Sequence, residues 1–241
     1  MLRRALLLLL LPLSVQGQEL TVSAAASLAD AFKALTPGFE AAHPGAKLRF
    51  NFAASGQLLQ QIAQGAPVDV FASADEATMD RAQQFITPPS RRVFASNELV
   101  LVTPPGSALS SLADLNLAGV KRIAVGKPAT VPVGRYTQQA LESARMWQAL
   151  QRKIVPADNV RQVLDYVARG EVEAGFVYRS DAQIAKRRVR AAMTVGGHEP
   201  VRYPVAVLQG SRQPALAQAF VNYLLGQPAQ ALLQQQGFGT P

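Results

Sequence analysis

Ser27 and Ser55 occupy equivalent places in two stretches of one local design, Leu20 to Phe32 (LTVSAAASLADAF) and Leu48 to Ile62 (LRFNFAASGQLLQQI). Each stretch reads as a strand, a small-residue turn and an amphipathic helix. A helix start exposes unpaired N–H groups and a partial positive charge, so a hydroxyl beside it adds a donor to a ready-made anion site. The pair predicts a small oxyanion held between helix ends. Taken singly, either serine also reads as an N-cap, and Ser27-Leu28-Ala29-Asp30 fits the S-x-x-D form of a capping box. Pairing favours the ligand reading, as do turns of Ala and Gly placed where strands of an open α/β sheet meet their ligands.

Three later segments repeat the donor theme. Val131 to Tyr136 (VPVGRY) puts a proline-glycine turn at a helix start and leaves the Val133 N–H free, and Asp158-Asn159-Val160-Arg161 begins another helix with the Val160 N–H pointing outward. The strand Ala174 to Tyr178 ends on a phenol, a further neutral donor. Candidate acceptors have structural readings: Asp30 in the capping box, Asp69 in buried hydrogen bonding and Asp75 as an N-cap.

The elements that must position these groups alternate almost throughout, short apolar runs with helical patterns, which predicts an α/β fold built on mainly parallel sheets. Strands are expected at Leu20–Ser23, Lys47–Phe52, Val68–Ala72, Leu99–Thr103, Arg122–Val125, Lys153–Pro156, Ala174–Tyr178 and Val201–Gln209. Helices are expected to begin near Leu28, Gly56, Asp75, Gly134, Val160 and Ser180, with a closing pair at Pro214–Leu225 and Pro228–Gln236. Thr36-Pro37-Gly38 predicts a kink or break in the helix from Leu28 to Ala42. Two extended runs, Arg91–Thr103 and Val201–Leu208, read as crossings between two lobes. The first lobe is then discontinuous, residues 18–93 plus 202–241, and the second spans 94–201.

Met1-Leu2-Arg3-Arg4, a leucine run to Leu11 and small residues up to Gly17 read as a secretory signal peptide over residues 1–17, cleaved near Gly17. No other segment has the roughly 20 apolar residues of a membrane span, so the mature chain is expected to be exported and unanchored. The sequence contains no cysteine, which removes disulfides, thiolate metal sites, cysteine nucleophiles and a lipid-modified cysteine together. The formal charge is +8, and Arg3 and Arg4 carry two of these charges away with the leader, leaving +6. A nucleic-acid partner is disfavoured by export and by the lack of aromatics interleaved on a basic face. The densest basic run, Lys186 to Arg190, reads as a solvated loop with anion attraction or an acidic partner as alternatives.

Ala24-Ala25-Ala26-Ser27-Leu28, the FAxS turn Phe52–Ser55, the run Gly65–Asp75 (GAPVDVFASAD), Val131–Gly134 and Val177-Tyr178-Arg179-Ser180-Asp181 together resemble the periplasmic molybdate-binding proteins of ABC importers. The resemblance spans the mature chain and implies the two-lobed type II periplasmic binding-protein fold. It also implies that Ser27 and Ser55 bind the oxyanion through hydroxyl and backbone, Val133 and Val160 through backbone N–H, and Tyr178 through its hydroxyl. These are contacts to the oxygens of molybdate or tungstate, not direct metal ligands, and no cofactor is implied. Further expectations are a periplasmic location, an inner-membrane ABC permease as partner and a monomeric state. Gly56-Gln57, Val133 and Lys127-Pro128-Ala129 depart from the family pattern, and Lys127 changes the charge expected at the rim.

All five implied contacts are neutral donors, which suits a fully deprotonated tetrahedral dianion such as molybdate, tungstate or sulfate. A protonated phosphate would want a carboxylate acceptor. Sulfate or phosphate binding remains the alternative within this fold, and a secreted serine hydrolase the alternative outside it. A hydrolase needs a base, and the two histidines, His43 and His198, lie in turn sequences with no G-x-S-x-G elbow around either serine.

Overall fold

The computed structural model describes residues 18–241, so the expected signal peptide lies outside the described residues. The chain runs β1 (Gln18–Ala25), a 3-10 turn (Ala26–Leu28), α1 (Ala29–Ala42), β2 (Ala46–Ala53), α2 (Ser55–Ala63), β3 (Val70–Ala72), α3 (Glu76–Arg81), β4 (Arg92–Asn97) and β5 (Leu99–Thr103). It continues through β6 (Ile123–Gly126), α4 (Pro132–Ser143), α5 (Trp147–Leu150), β7 (Ile154–Ala157), α6 (Val160–Ala168), β8 (Ala174–Tyr178), α7 (Arg179–Ile184) and β9 (Arg190–Val195). It closes with β10 (Val201–Val207), α8 (Pro214–Leu225) and α9 (Gln227–Gln235).

Two five-stranded sheets share one plan, in the orders β2-β1-β3-β10-β4 and β7-β6-β8-β5-β9. In each, three strands are parallel and the fourth, β10 or β5, is antiparallel to both its neighbours. That fourth strand is the one the chain enters directly after leaving the other sheet. The changes fall at Glu98 and at residues 196–200, and the two crossing strands pair with each other, Val201 opposite Asn97. Phe94 to Asn97, expected in the second lobe, therefore hydrogen-bond in the first sheet, as does Val201. Pro204 sits in a strand flanked on both sides and has no N–H to give. The register against β4 slips between Tyr203 and Pro204, which removes the need for that donor.

Three expectations are corrected. α1 is unbroken through Pro37; Thr36 Oγ1 donates to the Phe32 carbonyl at 2.9 Å, while Phe32, Leu35 and Phe39 bury one continuous face. β4 and β9 are strands that sequence patterning did not separate, β4 being read as part of a crossing and β9 starting at the end of the basic run. α4 begins at Pro132, two residues earlier than expected, because proline's fixed φ and missing N–H suit a first helical turn.

α1 is held to the first sheet by an aromatic cluster in which Phe32 and Phe39 each meet the Phe220 ring edge-on, at centroid distances of 5.7 and 5.2 Å. Phe220 is fully buried. Phe220→Ala is expected to cost about 3–5 kcal/mol of unfolding free energy, measured by urea titration.

Candidate functional site

Ser27, Ser55, Val133, Val160 and Tyr178 all line one small cavity between the two sheets. The remaining walls are Ala25, Ala26, Ala53, Ala54, Ala74, Val131, Pro132 and Asn159. The small side chains let backbone approach a ligand closely. Helices α2, α4 and α6 each bring their first residues to this wall, so three sets of unpaired N–H groups and three positive helix ends converge there. No carboxylate, imidazole or ammonium group is part of the lining. The cavity is thus electropositive without a cationic side chain, and it offers nothing to a metal cation.

Each donor is fixed by its own local arrangement. Ser55 is the first residue of α2, Ala54 being the N-cap, and its Oγ accepts the Ala74 N–H at 3.0 Å, leaving the hydroxyl proton for another acceptor. Val133 follows Pro132 at the start of α4, and Gly134 is required next because a Cβ there would overlap the Gly126 carbonyl. Asn159 caps α6, accepting the Gln162 N–H at 3.0 Å, and holds Val160 at the first helical position. Tyr178 ends β8, fully buried, and its hydroxyl has no hydrogen-bond partner. Burial pushes this phenol well above its ordinary pKa, with the neighbouring tyrosines and carboxylates adding to the shift, so it is protonated and able to donate.

The expected capping box at Ser27 does not form. Ser27 lies inside the 3-10 turn and its Oγ meets Tyr203 Oη at 3.1 Å, while Asp30 pairs with Arg161 at 2.7 Å. Asp75 does cap α3, accepting the Thr78 N–H at 3.2 Å. Asp69 accepts from Thr21 N, Ser211 Oγ and Arg212 N, a buried structural role. Lys127 pairs with Asp158, which offsets its charge at the rim. His43 faces the Phe39 carbonyl, and both ring nitrogens of His198 face backbone carbonyls, so neither is poised as a base for a serine.

Sequence reasoning missed the groups that tie the halves together around the cavity. From the second-sheet side, Arg135 on α4 reaches Asp75 through Nε at 2.9 Å and through its terminal nitrogen, and also Thr78 Oγ1 at 2.7 Å. Arg161 on α6 reaches Asp30 and the Ser27 carbonyl, the latter at 3.3 Å. Gly56 N donates to the Thr130 carbonyl at 3.0 Å, and a Cβ on Gly56 would lie 2.6 Å from that oxygen. Gly56 thus sits at a close backbone contact between the halves. A larger open crevice beside the cavity holds Asp75, Glu76, Asp80, Arg135, Glu199 and Arg202, in which Arg135 pairs with Asp75 and Arg202 with Glu76 while the carboxylates outnumber the guanidiniums.

Two α/β units joined by a pair of crossing strands, with a cavity between them lined from both, define a solute-binding architecture. The chain belongs to the family of bacterial extracellular solute-binding proteins, whose model matches residues 20–239. It is 37% identical to the molybdate-binding protein ModA of Escherichia coli K12 over 229 residues, covering 91% of this chain and 88% of the relative. The solved periplasmic molybdate-binding protein of Azotobacter vinelandii superposes with a TM-score of 0.81 at 27% identity, covering 92% of this chain and 99% of that one. The sulfate-binding protein SubI of Mycobacterium tuberculosis gives the same TM-score at 18% identity, covering 92% and 86%, a likeness of fold alone.

Asp181, wholly buried behind Tyr178, accepts the Tyr178 N–H at 3.3 Å. Its Oδ1 lies 2.8 Å from Arg161 Nε, close enough for charge attraction although the N–H is not aimed at it. Burial, opposed by the Arg161 charge, raises its pKa from 3.8 to about 6. A carboxyl that binds its proton more tightly folded than unfolded adds stability that is fully present below pH 3.8 and lost as pH rises through about 6. The melting temperature of the wild type relative to Asp181→Asn is therefore expected to fall across that window, as read by calorimetric scans.

Proposed function

We propose that this chain captures molybdate, and tungstate by the same geometry, as a fully deprotonated tetrahedral dianion in the interlobe cavity and delivers it to an ABC importer. The observation that carries the reading is the buried Tyr178 hydroxyl, protonated and unpartnered, beside three helix starts and two serines in a cavity lined by no acidic side chain. Ser27 and Ser55 donate through hydroxyl and backbone, Val133 and Val160 through backbone N–H, and Tyr178 through its phenol. The likeness to molybdate-binding relatives over nearly the whole chain supports the same ligand.

The lobes in this reading are the two sheet units, with the division at Glu98 and in residues 196–200. Ligand bridges donors of both lobes only when the cleft is shut, so it binds the closed state preferentially and shifts the population toward it. The exported, periplasmic monomer then presents its closed form to the membrane permease. Sulfate is the second reading, because it is equally a donor-seeking dianion and the same fold serves a sulfate-binding protein. Phosphate is disfavoured because no carboxylate faces the cavity to take its proton.

Calorimetric titration with molybdate, tungstate, sulfate and phosphate tests the ligand, with molybdate expected tightest and phosphate weakest. A hydrogen bond to a charged group is worth about 1.5–3 kcal/mol, so Ser55→Ala and Tyr178→Phe should each weaken molybdate binding by about ten- to a hundredfold. Wild-type affinity in both variants would remove them from the site. Small-angle scattering should show a more compact particle at saturating molybdate than without it, and identical profiles would mean a rigid cleft.

A further inference from the structure

A chain of buried polar groups runs from Ser27 away from the cavity to the crossing strands. Ser27 Oγ lies 3.1 Å from Tyr203 Oη, which lies 3.4 Å from Asn97 Nδ2. Asn97 Nδ2 also donates to Ser180 Oγ at 2.9 Å, and Asn97 Oδ1 accepts the Glu98 N–H at 2.9 Å. All four side chains are buried. They come from four elements: the 3-10 turn after β1, the end of β4, the middle of β10 and the start of α7.

The direction of these bonds follows from the donor inventory. The Glu98 N–H can only donate, so the amide atom facing it is oxygen and the Asn97 NH2 faces Tyr203 and Ser180. Burial lifts the Tyr203 phenol well above its ordinary pKa, so it carries one proton. An amide NH2 cannot accept that proton, and the other partner is Ser27 Oγ. Ser27 therefore accepts from Tyr203, and its own proton is turned away from Tyr203 and left for the cavity. Ser55 reaches the same condition through a backbone N–H, that of Ala74. Only at Ser27 does the orientation depend on other side chains.

We propose that Tyr203, itself oriented by Asn97, is a positioning residue that commits the Ser27 hydroxyl to donate to the bound anion. The inference rests on the oxyanion reading given above. Hydrogen bonds in series polarise one another, so the chain Asn97 to Tyr203 to Ser27 to ligand oxygen also strengthens the last bond. Two of its members stand on the paired crossing strands, so the serine's orientation is set at the place where the lobes join.

Molybdate titration by calorimetry of the wild type, Tyr203→Phe, Ser27→Ala and the double variant tests this, with melting temperatures to verify folding. Tyr203→Phe keeps the ring and should weaken binding by about 3- to 30-fold, and Ser27→Ala by at least as much. The double variant should bind no more weakly than Ser27→Ala alone, since Tyr203 acts only through that hydroxyl. Losses that multiply in the double variant, or wild-type affinity in Tyr203→Phe, would overturn the proposal and leave Tyr203 a packing residue. Wild-type affinity in Ser27→Ala would instead strike Ser27 from the oxyanion site itself. Asn97→Asp provides an independent arm, because an acceptor of the same shape takes the Tyr203 proton and reverses the chain. It should weaken binding more when Ser27 is present than in the Ser27→Ala background, and equal factors in both backgrounds would count against the proposal.

Discussion

In the proposed function, burying an anion with no ionic partner is the constraint on which the rest of this structure depends. Removing a charge from water is expensive, and the loss must be met by donors already in place. In this chain the donors are neutral, and their supply dictates the architecture. Helix starts expose several N–H groups at once, and those of α2, α4 and α6 converge on one point. Helices on opposite sheets can do so only across a cleft. The alanines of the turns follow from the same requirement, since bulk at Ala54 or Ala74 would fill the cavity wall, whereas Gly134 is set by its close approach to the Gly126 carbonyl.

The cationic side chains are used beside the cavity instead of inside it. Arg135 and Arg161 each span from one half to a carboxylate of the other, Asp75 and Asp30. A guanidinium in the cavity would attract any anion, whereas beside it the arginines join the two halves and, in the proposed function, leave selection to the geometry of the neutral donors. Arg161 also follows Val160 directly in the chain, so the residue that bridges the halves and the proposed Val160 donor are both carried by the first turn of α6. Asp181 anchors Arg161 from behind and the Tyr178 backbone from below, which ties a bridging group and a donor to one buried carboxylate.

Local signals made most of the fold legible. Strands such as Leu99–Thr103 and Ala174–Tyr178 are short, wholly buried apolar runs, and their bounds read directly from sequence. The small-residue turns carrying Ser27 and Ser55 and the helix starts at Val133 and Val160 were legible because each is a local motif. β4 was not, because it differs from its continuation in β5 only by a change of sheet at Glu98, which no local pattern encodes. β9 was hidden by arginine and alternating exposure at a sheet edge. The capping reading of Ser27 and Asp30 failed for a related reason: both residues have partners far away in sequence, Tyr203 and Arg161, that outcompete the local bond. Pairings across 131 or 176 residues leave no trace in a window of ten.

The crossing strands combine mechanical and chemical roles. A proline inside a flanked strand is tolerated because the register slips at Tyr203–Pro204, and the residue just before the slip is the one whose phenol reaches Ser27. Asn97 occupies the last position of the other crossing strand, with its amide oxygen on the Glu98 N–H where the chain changes sheet. A group placed deep in either lobe would keep its distance to its own lobe's donors but not to those of the other during closure. In the proposed hinge closure, groups on the paired crossing strands would be displaced least, and there Asn97 holds Ser180 of one unit and Tyr203 of the other together. On that reading the polar network belongs at the junction, where one set of hydrogen bonds would remain made as the proposed closure moves the lobes around it.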